Sequence, residues 1–218
     1  MGIQYAVLAD IVGSRQLADR AAAQEEFLAA LRRASDGLAL TQMPWATTGD
    51  EFQLVAADLA TAVNVTLRAH LILPEGRDLR FGIGAGSAKP LNPDQPTGIQ
   101  DGSAWWSARE AIDHVHAMED SGLSWLRTGW RAGEDTNIDH ALVASVNAAL
   151  TLRDHIIARL KPKERRITAG LLFGRTQVEI AKEERSSQSA ISQTFHRCGG
   201  AALLHSRDYF AALIGGDK

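Results

Sequence analysis

The sequence predicts an α+β fold, with a ferredoxin-like βαββαβ domain followed by an all-α helix-turn-helix domain. Over residues 1–130, short apolar runs and amphipathic segments follow one another in the order strand, helix, strand, strand, helix, strand, helix, strand. This order predicts an antiparallel sheet that carries helices on one face. After Ile138 every periodic segment is helical. The charge also divides along the chain: residues 153–218 hold 12 Lys or Arg against 7 Asp or Glu, whereas residues 1–152 hold 11 against 19.

The first strand and the first helix follow from hydrophobic periodicity. Residues 3–9 form an apolar run rich in strand formers, which predicts a buried strand that ends at Asp10 and turns through residues 12–14. From Arg20 to Leu38 the apolar residues recur every three or four positions, so a helix with one buried stripe is expected there. Gly37 supplies the stop signal of this helix.

A hairpin and a second helix are predicted next. The strand-like runs Thr41–Thr47 and Phe52–Ala56 flank residues 48–51, where a glycine and two carboxylates suit a tight turn. Asp58 then caps a helix that extends to Leu73, because leucine and valine recur there every four residues.

Residues 79–130 complete the predicted sheet. Leu79–Ala85 alternates in the manner of a strand, and the proline-rich residues 86–102 predict a loop. A third helix is expected from Ser103 to about Met118, followed by a strand at Leu123–Arg127. The composition turns polar after Gly129, which places a boundary near residue 130. The expected parts are therefore the α+β domain over residues 1–130, a connecting helix within 131–159 and the helix-turn-helix domain over 160–218.

The segment from Leu160 to Cys198 has the apolar spacing of a compact three-helix unit. Thr176 with Glu179 is a capping box that starts a short middle helix, and Ser186 or Ser187 caps the next helix after a turn at residues 183–185. The run TQVEIAKEERSSQSAISQTF resembles the helix-turn-helix of sigma-factor region four and related regulators.

The second helix of this motif is expected to present polar side chains to a DNA groove. Gln pairs with adenine, Arg binds guanine or phosphate, and Ser accepts several base edges. One helix-turn-helix seldom binds tightly alone, so a homodimer on double-stranded DNA is expected. The alternative is a plain helical bundle used for dimerisation. The expected DNA-binding residues are Arg175, Lys182, Arg185, Ser187, Gln188, Ser189, Ser192, Gln193, His196 and Arg197.

Carboxylates gather at one end of the predicted sheet. In a βαββαβ sheet the first strand and the central hairpin are neighbours, which would bring Asp10 and Asp50 within reach of a common cation. With Glu51 and the carbonyl oxygen of Ile11, these hard oxygens suit Mg²⁺ or Mn²⁺. The loop that follows would expose backbone amides to the phosphates of a nucleotide. The alternative is that Asp10 caps a turn and that the other carboxylates are ordinary hairpin residues.

Several motifs carry a resemblance to known families. LADIVGSR and GDEF resemble the metal-binding strand and hairpin of class III nucleotide cyclases and of diguanylate cyclases, and RFGIGAG and SAREAI resemble a later strand and the following helix. Taken with DGSAWWSAREAI and the C-terminal helix-turn-helix, the chain is similar to the SatD family over nearly its full length. The resemblance implies a cyclase-like N-terminal domain. The residues it implies are Asp10, Ile11, Asp50 and Glu51 for a metal, and Val12, Gly13, Ser14 and Arg109 for a nucleotide.

The chain departs from the cyclase pattern at two positions. Cyclases carry an Asn four residues before the Arg that matches Arg109, and Trp105 stands there in this chain. Thr48 replaces the first of the two glycines of diguanylate cyclases. The resemblance therefore implies the fold and metal-nucleotide binding more than turnover. The alternative for Arg109 is an ion pair with Asp113, one helical turn further on.

Three functions are open at this point. The leading one is a DNA-binding transcription regulator whose N-terminal domain senses a nucleotide or a metal. The others are a metal-dependent nucleotidyl cyclase or transferase located by its helix-turn-helix, and a non-catalytic structural homodimer. The first residues lack a basic stretch and a cleavage site, and no apolar run has the length of a membrane span, so a cytoplasmic protein without a membrane partner is expected.

Overall fold

The computed structural model describes residues 2–47, 49–90 and 100–215, with side chains to residue 212. In this part of the chain the fold is α+β, as predicted, with a mixed five-stranded sheet and eight α-helices. The strands are β1 (Gln4–Ile11), β2 (Leu40–Ala46), β3 (Glu51–Ala56), β4 (Leu79–Gly86), β5 (Lys89–Pro90), β6 (Gln100–Asp101) and β7 (Thr128–Ala132). The helices are α1 (Arg20–Ser35), α2 (Leu59–Ile72), α3 (Ser103–Asp120), α4 (His140–Arg159), α5 (Pro162–Leu172), α6 (Gln177–Glu183), α7 (Gln188–Arg197) and α8 (Gly200–Gly215).

The main sheet has the strand order β2-β3-β1-β4-β7. Every neighbouring pair is antiparallel except β4 and β7, which are parallel. The register of the central strand sets Asp10 opposite Glu51 of β3 on one side and opposite Arg80 of β4 on the other. Three charged side chains therefore meet at one end of the sheet.

Helices cover both faces of this sheet. Because side chains alternate along a strand, Val7 and Ala9 of β1 face a core shared with α1 and α2, whereas Ala6 and Leu8 face α3. The expectation of helices on one face only is thus wrong. The reason is the parallel pairing of β4 with β7, since the connection between them carries α3 across the second face.

Glycines in β4 allow α3 to lie directly on the sheet. A Cβ atom on Gly82 would be 2.1 Å from the carbonyl oxygen of Ala108, and one on Gly84 would be 2.0 Å from that of Ala104. No side chain fits in that space, so the backbones of helix and strand are in contact.

The last strand lies further along the chain than predicted. Leu123–Arg127, expected as a strand, forms a turn in which the amide of Leu126 donates to the carbonyl of Leu123 at 2.9 Å. The strand is β7 instead. Gly129, from which the composition turns polar, lies within β7 and allows close packing, because a Cβ atom there would be 2.9 Å from the carbonyl oxygen of Ala111.

Helix α4 packs against the sheet. Val146 and Leu150 belong to the same apolar core as β1 and β3, and the side chain of Asn147 hydrogen-bonds both the amide and the carbonyl of Trp130 at 2.9 Å. The predicted boundary near residue 130 therefore falls inside β7, and the predicted connecting helix covers part of the sheet.

Among the described helices, α4 alone has the length and apolar composition of a membrane span, with a mean hydropathy of 1.2. Its inner side carries a buried ion pair, in which Arg153 and Asp154 are 2.9 Å apart. A charged side chain is buried in a globular domain when it is paired in this way.

Helices α5 to α8 form a C-terminal helical unit. Its interior is an apolar cluster of Ile167, Ile180, Ala181, Ile191 and Phe195. A second cluster joins this unit to the rest of the chain and contains Leu67 and Leu71 of α2, Ile157 of α4, Leu172 of α5 and Leu203 of α8. The helical unit is thus held on α2 and α4 by shared hydrophobic burial.

Candidate functional sites

Asp10 lies at the sheet end on the side that faces α3. Its Oδ2 atom accepts a 2.8 Å hydrogen bond from Nη1 of Arg80, whose Nη2 lies 2.6 Å from a carboxylate oxygen of Glu119 in α3. Arg80 is 8% exposed. A buried guanidinium therefore forms ion pairs with two carboxylates.

The electrostatic surroundings of Asp10 are those of a carboxylate cluster. Burial raises the pKa of Asp10, the carboxylate of Asp50 raises it further, Arg80 lowers it, and Glu51 adds a smaller increase. The negative charges of Asp50 and Glu51 therefore act on Asp10 in addition to its burial. Additional positive charge near this point would stabilise the ionised form.

Glu51 pairs with Arg109 of α3. The pairing of Arg109 with Asp113, the alternative drawn from helical spacing, is absent among the ion pairs of the described residues. One turn earlier on α3, Trp105 packs with Leu8 and Val55 and is 8% exposed, so it fills the space between helix and sheet. Trp105 therefore does not face a ligand.

A separate cavity of about 280 Å³ lies on the α1 side of the same sheet end. We name it the strand-end cavity; it is lined by Ile11, Ser14, Arg15, Leu17, Arg20, Gly49 and Asp50. The structure thus brings together part of the predicted metal and nucleotide set at this cavity. Asp10 and Glu51 are not among its lining residues, and each of them holds an arginine.

The loop after β1 uses some of its own backbone amides. The amide of Ile11 donates to the carbonyl of Asp50 at 3.3 Å, and that of Val12 donates to the carbonyl of Asp78 at 3.1 Å. Gly13 then adopts a left-handed conformation with φ 69°, which turns the chain into the 3-10 helix Ser14–Gln16. Amides offered to a ligand would come from Gly13 and the residue after it.

Sequence reasoning missed the two arginines of the strand-end cavity. Arg15 and Arg20 are exposed, and neither forms an ion pair with a residue in the described ranges. The signal that could have found them is their position on either side of a strand-loop-helix turn, where cations reach a phosphate held by the loop. Arg80 was missed as well, although strand alternation places it on the same face as Asp10.

The donor set does not form a ready metal centre. Across residues 2–47, 49–90 and 100–215, no group of three or more His, Cys, Asp or Glu is arranged to hold a metal ion. A cation shared by Asp10 and Asp50 would have to compete with Arg80 for the first of these carboxylates. The residues present therefore fit a preformed Mg²⁺ or Mn²⁺ site poorly.

The predicted helix caps of the C-terminal motif are present in the structure. Thr176 and Glu179 make the capping box at the start of α6, and Ser187, of the two predicted serines, caps α7 by accepting the amide of Ala190 at 3.2 Å. Between the helices, Arg185 takes a left-handed conformation with φ 49°. This turn sets α6 and α7 around the apolar cluster that contains Ile191.

One side of α7 is directed to solvent. Ile191 and Phe195 are buried, and the other side carries what we name the α7 face, in which Ser192 is half-buried and the other residues are exposed: Gln188, Ser189, Ser192, Gln193, His196 and Arg197. The side chain of Arg197 is 71% exposed. Of the other predicted DNA-binding residues, Lys182, Arg185 and Ser187 are exposed and Arg175 is half-buried.

Arg175 does not belong to the α7 face. It pairs with Glu183 and lines a crevice between the helical unit and the connection from α2 to β4. Two residues of the α7 face have internal contacts, since Gln188 donates to the side chain of Gln177 at 3.1 Å and Arg197 lies 3.9 Å from Glu164.

These features define a two-part α+β protein, with a candidate ligand cavity at the sheet end and an exposed polar helix in its helical unit. The family model of the SatD family matches the chain over residues 4–213, and the protein belongs to the SatD family. A comparison with curated proteins finds no match.

Proposed function

We propose that this SatD family protein is a DNA-binding transcription regulator whose N-terminal domain senses a nucleotide. The observation that carries the proposal is the α7 face, a solvent-directed set of Gln, Ser, His and Arg on a capped helix. At ten residues α7 is about 15 Å long. With its side chains an α-helix is about 10–12 Å in diameter, so it fits the major groove, which is about 12 Å wide.

The chemistry of the α7 face suits DNA better than a protein partner. Gln193 can hydrogen-bond an adenine edge and Arg197 a guanine or a phosphate. Lys182 and Arg185 are exposed on the preceding helix and turn, where they can meet the phosphate backbone. Such a surface offers a protein partner little apolar area to bury.

The N-terminal domain is proposed to be cyclase-like, with the strand-end cavity as its nucleotide site. The order β2-β3-β1-β4 with antiparallel pairing is what a ferredoxin-like βαββαβ domain requires, and β7 extends it. Arg15 and Arg20 supply positive charge in the cavity, and Ser14 supplies a hydroxyl. These groups suit the phosphates of a nucleotide.

The proposed homodimer would use the outer side of α4. Leu152 is 67% exposed and Leu142 is 38% exposed on this long helix, and Ala144 and Ala148 lie exposed between them. Two such helices from two copies can bury this apolar side against each other, and a dimer would carry two α7 faces.

Catalytic cyclase activity is less well supported. Trp105 fills the position of the cyclase Asn and is buried, and Arg109, the residue expected to bind a nucleotide, is held by Glu51. Incubation with each nucleoside triphosphate and MnCl₂ tests this alternative. Pyrophosphate release that is lost in Asp10→Ala and Asp50→Ala would favour the enzyme over the sensor.

A gel-shift titration with genomic fragments at several salt concentrations tests the DNA proposal. We expect affinity to fall linearly with salt on logarithmic axes, because Lys and Arg release counterions from the DNA. Gln193→Ala and Arg197→Ala should weaken binding at least tenfold. Arg32→Ala, an exposed arginine on α1, is the matched control and should bind normally. Absence of salt-sensitive binding to every fragment would reject the proposal.

A further inference from the structure

A deep crevice separates the helical unit from the connection between α2 and β4. It consists of two adjoining cavities of about 630 and 470 Å³. The two cavities share Gly76, Ile157, Ala158 and Arg165 as lining residues. We name the combined space the Arg165 crevice.

Arg165 of α5 is a half-buried cation without a partner among the residues that the structure describes. In the described part of the chain, its guanidinium forms neither an ion pair within 4.0 Å nor a side-chain hydrogen bond. Burial lowers the pKa of Arg165, although the negative charges of Asp78 and Glu75 at longer range oppose this effect. A guanidinium that is partly withdrawn from water and has no partner among the described residues gains free energy from a bound anion.

The other arginines of the crevice differ from Arg165, because each has a contact of its own. Arg166 makes two hydrogen bonds to Glu184, at 2.7 and 2.9 Å, and Arg127 donates to Asp78 at 2.6 Å. These pairs balance their own charges. Arg33, at the edge of the crevice, lies over the ring of Phe173 at 5.7 Å. Arg165 is therefore the cation best placed to take an incoming ligand.

The walls of the crevice suit a small organic anion. Apolar side chains line it on both sides, among them Leu71, Ile157, Phe173 and Trp125. Each of the two cavities, at about 630 and 470 Å³, exceeds what a phosphate ion alone would fill and falls in the range of sites for small molecules.

We propose that the Arg165 crevice is a second binding site, for a small phosphorylated molecule held through the guanidinium of Arg165. The planar fork of arginine matches two phosphate oxygens at once. The site is distinct from the strand-end cavity, with which it shares no lining residue. It lies between α5 of the helical unit and the α2–β4 connection, so its ligand would contact both parts of the protein. The inference does not depend on DNA binding.

Calorimetric titration of the full chain with inorganic pyrophosphate tests this site. The double variant Arg15→Met/Arg20→Met serves as the background, because it removes the cations of the strand-end cavity. We expect saturable binding in this background, and a loss of at least tenfold in affinity when Arg165→Met is added. Arg159→Met is the matched control, because Arg159 is an exposed arginine at the end of α4 that does not line the crevice, and it should leave affinity unchanged.

Thermal unfolding without ligand separates a binding role from a structural one. Arg165 is partly buried and has no ion-pair partner among the described residues. Arg165→Met should therefore leave Tm unchanged or raise it. Equal pyrophosphate affinity with and without Arg165, or a lower Tm for Arg165→Met without loss of binding, would overturn the proposal. Equal binding of citrate and pyrophosphate would overturn the assignment to phosphorylated ligands.

Discussion

Nη1 of Arg80 donates a 2.8 Å hydrogen bond to Oδ2 of Asp10 at the end of the central strand. The same guanidinium binds Glu119, and Arg127 continues the chain by lying 3.5 Å from Glu119 and donating to Asp78 at 2.6 Å. Alternating charges therefore run from the carboxylate cluster at the sheet end to the edge of the Arg165 crevice.

Removal of Arg80 should destabilise the fold strongly. Arg80→Met leaves Asp10 without its ion-pair partner and deprives Glu119 of its closest one, and breaking a buried pair in this way costs about 3 kcal/mol in the free energy of unfolding. Urea denaturation at pH 7 measures this cost. A loss below about 1 kcal/mol would show that the chain of ion pairs does not hold the sheet end together.

Two variants serve as controls for Arg80. Arg109→Met breaks an ion pair whose arginine is 51% exposed, so it should cost less than about 1 kcal/mol. Asp10→Asn should also cost less than Arg80→Met, because burial and the neighbouring acids already disfavour the charge of Asp10.

Acid should weaken the fold through Asp78. Burial alone would raise its pKa, but hydrogen bonds and charges of His70 and Arg127 lower the pKa of Asp78 from 3.8 to about 2. A lowered pKa means that the stabilisation is fully present above pH 3.8 and is lost as the pH falls through about 2. Its size is about 1 kcal/mol after allowance for a side chain that is 35% exposed.

Urea denaturation at pH 7, 4 and 2 checks this dependence. Asp78→Asn should lower the free energy of unfolding at pH 7 and flatten its decline between pH 4 and 2. An identical acid dependence in the variant and the wild type would contradict the assignment to Asp78.

A substitution in the turn between α6 and α7 should change protein stability and DNA affinity in opposite directions. Arg185 has φ 49°, a conformation that is costly for residues other than glycine. Arg185→Gly should therefore raise the free energy of unfolding by up to about 1 kcal/mol, and it should weaken DNA binding because a phosphate contact is removed. Thermal unfolding and gel shifts on the same preparation measure both effects. Lys182→Ala, a neighbouring cation on α6, should weaken DNA binding without the gain in stability.

The outer side of α4 should control the oligomeric state. Leu152→Glu introduces a charge into the apolar surface proposed to join two copies, so it should convert a dimer into a monomer. Because Leu152 is 67% exposed within one copy, the monomer itself should remain folded. Light scattering after size-exclusion chromatography gives the mass. His155→Glu, one turn away on the same exposed side, is expected to act in the same direction. A dimer that survives both changes would move the interface elsewhere.

Metal ions should act only together with a nucleotide. Since Asp10 and Glu51 each hold an arginine, MnCl₂ alone should leave Tm nearly unchanged. MnCl₂ with a nucleoside triphosphate should raise Tm, and this increase should disappear in Arg15→Met/Arg20→Met. A large increase with MnCl₂ alone would point to a preformed metal centre of the kind the sequence predicts.

Local signals were predicted well because they act over a few residues. Asp58 caps α2 as expected, the capping box at Thr176 forms, and β1 ends close to Asp10. The strand expected at Leu123–Arg127 lies instead at Thr128–Ala132. Glycine is a poor strand former, so the sequence gives no local sign of a strand at Gly129, where the absence of a side chain allows α3 to pack closely.

The amino-acid order alone specified the periodicities, the helix caps and the polar side of α7, because each depends on residues near one another in the chain. The acidic cluster at the sheet end followed from the strand order that these periodicities predict. Only the folded arrangement decided which charges are satisfied. Arg80 pairs with Asp10, which lies seventy residues earlier in the chain, and Arg109 of α3 pairs with Glu51 of β3. Arg165 lines a crevice instead. Ion pairing depends on distances between strands and helices that no local pattern encodes.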